Sequence, residues 1–113
     1  MREIKFRAWD KDLKKWLGWE TVSQCAIGEF VDDVRFELVQ YTGLKDKNGV
    51  EIYGGDIFRD NSINQIYKVI WFKEGFRVEV DGMILSFDET LTDGKCEVIG
   101  NVWENPELLE RDA

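Results

Sequence analysis

Tyr41-Thr42-Gly43-Leu44-Lys45-Asp46-Lys47-Asn48-Gly49-Val50-Glu51-Ile52-Tyr53-Gly54-Gly55-Asp56-Ile57-Phe58-Arg59 is the most heavily punctuated run of the chain. Asn48-Gly49 suits the two central positions of a type I′ turn, which needs positive φ at both. Val50 to Tyr53 then reads as a short strand. Gly54-Gly55 bends the chain before Asp56-Ile57-Phe58 resumes extension. Asn48, Gly49, Gly54, Gly55 and Asp56 are therefore assigned to turn geometry and not to a ligand. Asp46 and Lys47, beside the turn, are read as side chains whose removal matters little to stability.

Outward from this run the pattern is strand after strand. Ile4 to Trp9 alternates, with Ile4, Phe6 and Ala8 on one face and Lys5, Arg7 and Trp9 on the other. Trp16-Leu17-Gly18-Trp19 is expected to return as its hairpin partner across the polar Asp10–Lys15 turn. Glu20 to Asp33 is poorly patterned: residues 20–25 fit a strand or a short helical turn, and Gly28 interrupts any helix. Val34, Phe36 and Leu38 are the inward set of the strand that leads into the central run. Residues 66–72 are apolar and aromatic on both faces, as in a central strand. Phe76 to Val80 alternates cleanly. Asp81-Gly82 and Asp93-Gly94 are further hairpin signals, the first followed by Met83-Ile84-Leu85-Ser86-Phe87. Five short strands beginning near Ile52 suit a small barrel. In the tail, Asn105 is a helix cap, Pro106 fits the first helical position, and Leu108 and Leu109 anchor the turn. The expected architecture is one mainly β domain over residues 1–113. It comprises an N-terminal β region (1–40) packed on a C-terminal small barrel (41–103), and a docked tail with a short helical turn (104–113).

Three separated motifs carry a family resemblance: the central run, Arg2-Glu3-Ile4-Lys5-Phe6-Arg7-Ala8-Trp9-Asp10, and Val98-Ile99-Gly100-Asn101-Val102-Trp103-Glu104-Asn105-Pro106-Glu107-Leu108. Together and in this order they resemble the YopX family of phage and prophage proteins, and they bracket nearly the whole chain. Gly54 stands where that family commonly has a glutamate. The resemblance implies a phage-encoded, mainly β protein with an SH3-like barrel element. It brings no established activity, substrate or catalytic residue.

The 113 residues suffice for one hydrophobic core, and 15 aromatics with 43% hydrophobic residues argue against disorder. No apolar run reaches bilayer-spanning length and no secretory signal opens the chain, so the cytoplasm is the expected location, which the resemblance implies is that of a bacterial host. Cys25 and Cys96 are expected as reduced, partly buried thiols there. The net charge of −8 is uneven. Residues 1–15 carry six bases and three acids, +3, and the remainder nine bases and twenty acids, −11. So acidic a body disfavours general nucleic-acid binding.

With no histidine, the commonest general base is missing and Ser-His and Cys-His pairs are excluded. Adjacent acids such as Asp32-Asp33 point to opposite faces of a strand and make no dyad. Calcium fails because a loop centred on Gly49 places Leu44 and Gly55 where acids belong. A phosphate cradle fails because no G-K-[S/T] follows the glycines. No cofactor, metal or catalytic residue is expected, and the protein is read as a non-enzymatic accessory protein that binds a protein partner. Trp9, Trp19, Tyr41 and Tyr53 are the candidate binding surface. The alternatives are an acidic inhibitor of a host nucleic-acid-binding protein, a weak direct nucleic-acid binder, and, less favoured, a carboxylate hydrolase. Edge strands and surplus aromatics also suggest a homo-oligomer.

Overall fold

A computed structural model describes residues 4–25, 33–72, 75–80, 82–86 and 96–109. Among them the chain is mainly β, with antiparallel sheets, one four-residue helix and a closing 3₁₀ turn. It divides into two compact units, Met1–Tyr41 and Thr42–Ala113.

In the first unit β1 (Phe6–Asp10) lies between β2 (Lys15–Leu17) and the start of β3 (Phe36–Lys45). Ala8 stands opposite Leu17 on one side and Leu38 on the other. Ala8 and Val22 form the buried centre, with Phe6, Leu17, Trp19, Cys25, Phe36 and Leu38 against them. The expected hairpin partner ends earlier than its aromatics suggested. Gly18 is the extended N-cap of α1 (Trp19–Val22), so Trp19 opens a helical turn and does not continue the strand. Val34, expected inward, is exposed. The cause is a turn closed by Asp33, whose carboxylate accepts the Arg35 N–H at 2.9 Å and whose carbonyl accepts the Phe36 N–H. Residues 26–32 of the poorly patterned segment lie outside the described residues.

The β1–β2 turn is held by Asp10, which is buried. One carboxylate oxygen accepts the Asp12 and Leu13 N–H groups at 3.0 Å each. The Arg35 guanidinium binds both oxygens, at 2.9 and 2.7 Å. That bidentate pair, helped by the two backbone N–H groups, lowers the Asp10 pKa to about 2 against the opposing effect of burial.

In the second unit β4 (Glu51–Tyr53) pairs with the end of β3. A separate antiparallel sheet then runs β8-β7-β6-β5-β9, built from β5 (Asp56–Asp60), β6 (Gln65–Phe72), β7 (Gly75–Val80), β8 (Met83–Ser86) and β9 (Cys96–Asn101). The five-stranded sheet thus begins at Asp56, not near Ile52, because the Gly54-Gly55 bend separates β4 from it. The 66–72 segment is the middle strand, as its composition suggests. Ile52, Phe58, Tyr67, Val69, Phe76, Val78 and Cys96 fill the core, with Val80 and Val98 beside them. Phe58 stacks on Tyr67 with ring centroids 5.1 Å apart. Burying a side chain of the size of Phe58 contributes about 1.5–3 kcal/mol relative to leaving it exposed. Both cysteines are free thiols.

β7 and β8 join across residues 81–82, with Val80 opposite Met83 and Gly82 at φ +80°. Asp81, Phe87 and the Asp93-Gly94 signal lie outside the described residues. The expected helix at the tail is a 3₁₀ turn (Pro106–Leu109), and the Leu108 N–H closes onto the Asn105 carbonyl. Among the described residues no helix is long and apolar enough to cross a membrane.

Candidate functional site

The residues that punctuate the central run all serve backbone. β3 and β4 are joined not by a type I′ turn but by the five-residue loop 46–50, closed by the Asp46 N–H on the Val50 carbonyl. Gly49 has φ +81°, Asn48 does not share a positive φ, and the Gly49 N–H reaches the Asp46 carbonyl. The loop hangs on Asp46, buried at 7% exposure. Its Oδ1 accepts the N–H groups of Asn48 and Val50, at 2.8 and 2.9 Å. Its Oδ2 accepts the Val98 N–H of β9 at 2.8 Å, while the Lys47 N–H bonds the Cys96 carbonyl. Asp46 is therefore a fastener between loop and sheet, and the expectation that its side chain matters little is corrected.

The next bend is built likewise. Buried Asp56 accepts the Tyr53 N–H at 2.8 Å across Gly54-Gly55. Gly55 has φ +85°, and a Cβ there would overlap the Trp103 indole. Its N–H donates to the Val69 carbonyl and its carbonyl accepts the Val102 N–H. Asn101 Oδ1 in turn accepts the N–H groups of Trp103 and Glu104, and its Nδ2 donates to Glu104. The C-terminal motif is thus folded against the central one.

The aromatic candidates do not come together as a surface. Trp9, Tyr41 and Tyr53 are buried. Trp9 lies against Trp16 at 5.1 Å, with the Arg7 guanidinium 3.9 Å over the Trp16 ring. The Lys5 ammonium caps Tyr41, the Tyr53 hydroxyl donates to Glu51, and half-buried Trp19 faces Phe6. These rings fill space because a small β unit has few other large side chains to do so. The candidate binding surface at Trp9, Tyr41 and Tyr53 is therefore corrected. The exposed indole is that of Trp71, 58% exposed and set edge-on to Phe76.

The strand after the Asp81-Gly82 signal is β8, and what its sequence was not read for is its exposure. All four of its residues are exposed, including Met83 (58%), Ile84 (42%) and Leu85 (38%). Three adjacent apolar residues without a charge were the available signal, since an edge strand facing water usually carries one. Beside β8 lies a groove of about 260 Å³ lined by Ile66, Lys68, Glu79, Val80, Gly82, Leu108 and Leu109. Among the described residues it contains one carboxylate, Glu79, bridged to Lys68 at 3.1 Å. Among the described residues no three His, Cys, Asp or Glu side chains converge to hold a metal ion.

Comparison with known proteins follows the same geography. A search of curated proteins returned no match. The chain is similar to a solved structure, protein EF1440 from Enterococcus faecalis. The two share 26% sequence identity over 97% of this chain and 100% of that one, with a TM-score of 0.72. The model of the family described as YopX protein matches residues 23–110, a span that takes in the Asp46 fastener, the Gly55–Trp103 contact and the Asn101 turn. With the match extending over most of its length, this chain belongs to the YopX family.

Proposed function

We propose that the protein is a phage-type accessory protein that works by binding a protein partner in the bacterial cytoplasm, without a reaction of its own, and that its second unit is an SH3-like small barrel used as the binding scaffold. The observation that carries this reading is the apolar β8, uncovered among the described residues while Asp46, Asp56 and Asn101 of the motifs are committed to backbone. Exposed contiguous apolar side chains in a protein with a net charge of −8 mark a surface that another molecule covers. The groove beside it supports the same reading, since among its described residues the one carboxylate is neutralised by Lys68 and a hydrolase needs two converging acids.

The test is capture by the immobilised chain from extract of phage-infected bacteria, with and without nuclease. The expected result is a protein retained in stoichiometric amount and insensitive to nuclease. Retention of nothing above the bare matrix refutes the reading, and loss of the captured material on nuclease treatment moves it to nucleic acid.

A further inference from the structure

We propose that Asn48 is a modification site: its side-chain amide is lost by spontaneous deamidation, at a rate set by the opening of the 46–50 loop, and the product unfastens that loop from β9.

Of the five asparagines in the chain, Asn48 stands apart first by the residue that follows it. Deamidation begins when the main-chain nitrogen of the next residue attacks the side-chain carbonyl carbon, so the bulk of that next residue governs the step. Asn48 precedes Gly49, whereas Asn61, Asn64 and Asn101 precede Ser62, Gln65 and Val102. Asn105 precedes Pro106, which has no N–H to give up. Glycine has no Cβ in the way, and nothing lies within 4 Å of the place where one would stand at Gly49.

The side-chain amides differ as well. Asn61 Oδ1 accepts from Arg59 and its Nδ2 donates to Glu97. Asn101 is held by Trp103 and Glu104, and Asn105 Oδ1 accepts the Asn101 N–H. Asn48 is exposed, and among the described residues its side-chain amide makes no hydrogen bond. Its carbonyl carbon is free to turn toward the Gly49 nitrogen.

The chemistry balances with water as the one co-reactant. The Gly49 nitrogen gives up its proton and bonds to Asn48 Cγ; the Cγ–Nδ2 bond breaks, and the amide nitrogen leaves with that proton as ammonia. Water then opens the cyclic imide at one of its two carbonyls. Addition at Cγ gives aspartate at position 48. Addition at the main-chain carbonyl gives isoaspartate, in which the main chain runs through Cβ and Cγ and is longer by one methylene.

The folded loop restrains the first step. The Gly49 N–H donates to the Asp46 carbonyl at 3.0 Å, the Asn48 N–H donates to Asp46 Oδ1 at 2.8 Å, and the Asp46 N–H closes the loop on the Val50 carbonyl at 2.9 Å. The Gly49 nitrogen must leave its acceptor before it attacks, so conversion requires local opening. Either product then opposes reclosure. Isoaspartate lengthens the chain between the two N–H groups that share Asp46 Oδ1, and both products place a second carboxylate beside that of Asp46. Asp46 Oδ2 holds the Val98 N–H of β9, so loosening at position 48 reaches the sheet.

The test incubates the full chain in mildly alkaline buffer, folded and in urea, and follows each asparagine by peptide mapping with mass spectrometry. Electron-transfer fragmentation tells isoaspartate from aspartate. In the folded chain Asn48 should convert at least about tenfold faster than any other asparagine, with isoaspartate among the products. Urea should speed its conversion by about tenfold or more, and Asp46→Ala should raise the rate under folding conditions; if that variant does not fold, Asp46→Asn serves the same purpose. Gly49→Ala, compared in urea where the fold plays no part, should slow conversion by about tenfold. The deamidated chain, separated by anion exchange, should unfold at lower urea concentration and lose protection at the Val98 amide. The inference is overturned if Asn48 in the folded chain converts no faster than the other asparagines, or if urea and the Asp46 variant leave its rate unchanged. It is also overturned if the deamidated chain keeps the unfolding midpoint and Val98 protection of the unmodified one. Aspartate without isoaspartate overturns it too, because water has then attacked the amide directly and the Gly49 nitrogen takes no part.

Discussion

Replacing Asp46 by alanine removes one carboxylate that accepts three backbone N–H groups, and the cost can be worked out bond by bond. The Val98 N–H sits in a half-buried strand and points at Asp46 Oδ2 from 2.8 Å. Left without an acceptor, such a group costs about 1–3 kcal/mol. The Asn48 and Val50 N–H groups belong to exposed residues and are rehydrated on mutation, so each loses roughly 0.5–1 kcal/mol. Asp46→Ala should therefore destabilise the protein by about 2–5 kcal/mol in total. Urea unfolding followed by tryptophan fluorescence should show the midpoint falling by roughly 2 M with an unchanged slope, given slopes of about 1–3 kcal/mol/M for small proteins. Hydrogen exchange adds the local signature, a loss of protection at the Val98 amide exceeding that at Asn48. Asp46→Asn should fall between the two, because one amide oxygen can serve either the loop or β9 but its NH₂ group cannot accept. A loss below about 0.5 kcal/mol, with Val98 protection intact, would refute the fastener account, since rehydration of the loop alone already costs more.

The other predictions concern neighbouring features. Lys47→Ala, at an exposed side chain, should change stability by less than about 0.5 kcal/mol in the same urea assay. Gly49→Val should cost about 1–3 kcal/mol, because φ +81° is strained for a β-branched residue although nothing crowds the position. Gly55→Ala should cost at least about 1 kcal/mol more than Gly49→Ala, since its Cβ also overlaps Trp103; equal losses would mean that the indole moves aside freely. For pH, the folded Asp10 pKa of about 2 lies below its ordinary 3.8, so its stabilisation is complete above about pH 4 and is lost as pH falls toward 2. An Asp10→Asn variant should unfold with a shallower pH dependence across that window, and an unchanged dependence would deny the Arg35 pair its role.

Strand content and strand positions were legible because apolar alternation and glycine turn signals act over a few residues. Phe76-Arg77-Val78-Glu79-Val80 shows its inward face without help, and 66–72 shows its central place. Less legible was anything decided by a partner distant in sequence. Asn48-Gly49 fits a type I′ turn on local grounds alone, but the loop was set by Asp46, whose second oxygen is used 52 residues away at Val98. Val34 extends an alternating pattern, yet Asp33 closes a turn beneath it and starts the strand later. The aromatic candidates failed for a related reason. Ring type and spacing do not reveal which faces are covered, and Trp9 is buried on the face that alternation assigned to Lys5 and Arg7.

Within the span that matches the YopX family, several residues hold chain reversals closed. Asp46, Asp56 and Asn101 each spend a side-chain oxygen on a backbone N–H, and Gly55 is the seat of Trp103. Such residues are fixed by geometry that tolerates few substitutes, because a buried N–H without an acceptor and a Cβ at positive φ are both costly. Recognition through them accordingly reports architecture. A surface for a partner obeys the opposite logic: its side chains need only be exposed and complementary, and among the described residues the core does not include Met83, Ile84 and Leu85. That is the physical reason to look for function at β8, where apolar side chains meet water without contributing to the core, and not at the glycines and carboxylates around which the chain is folded.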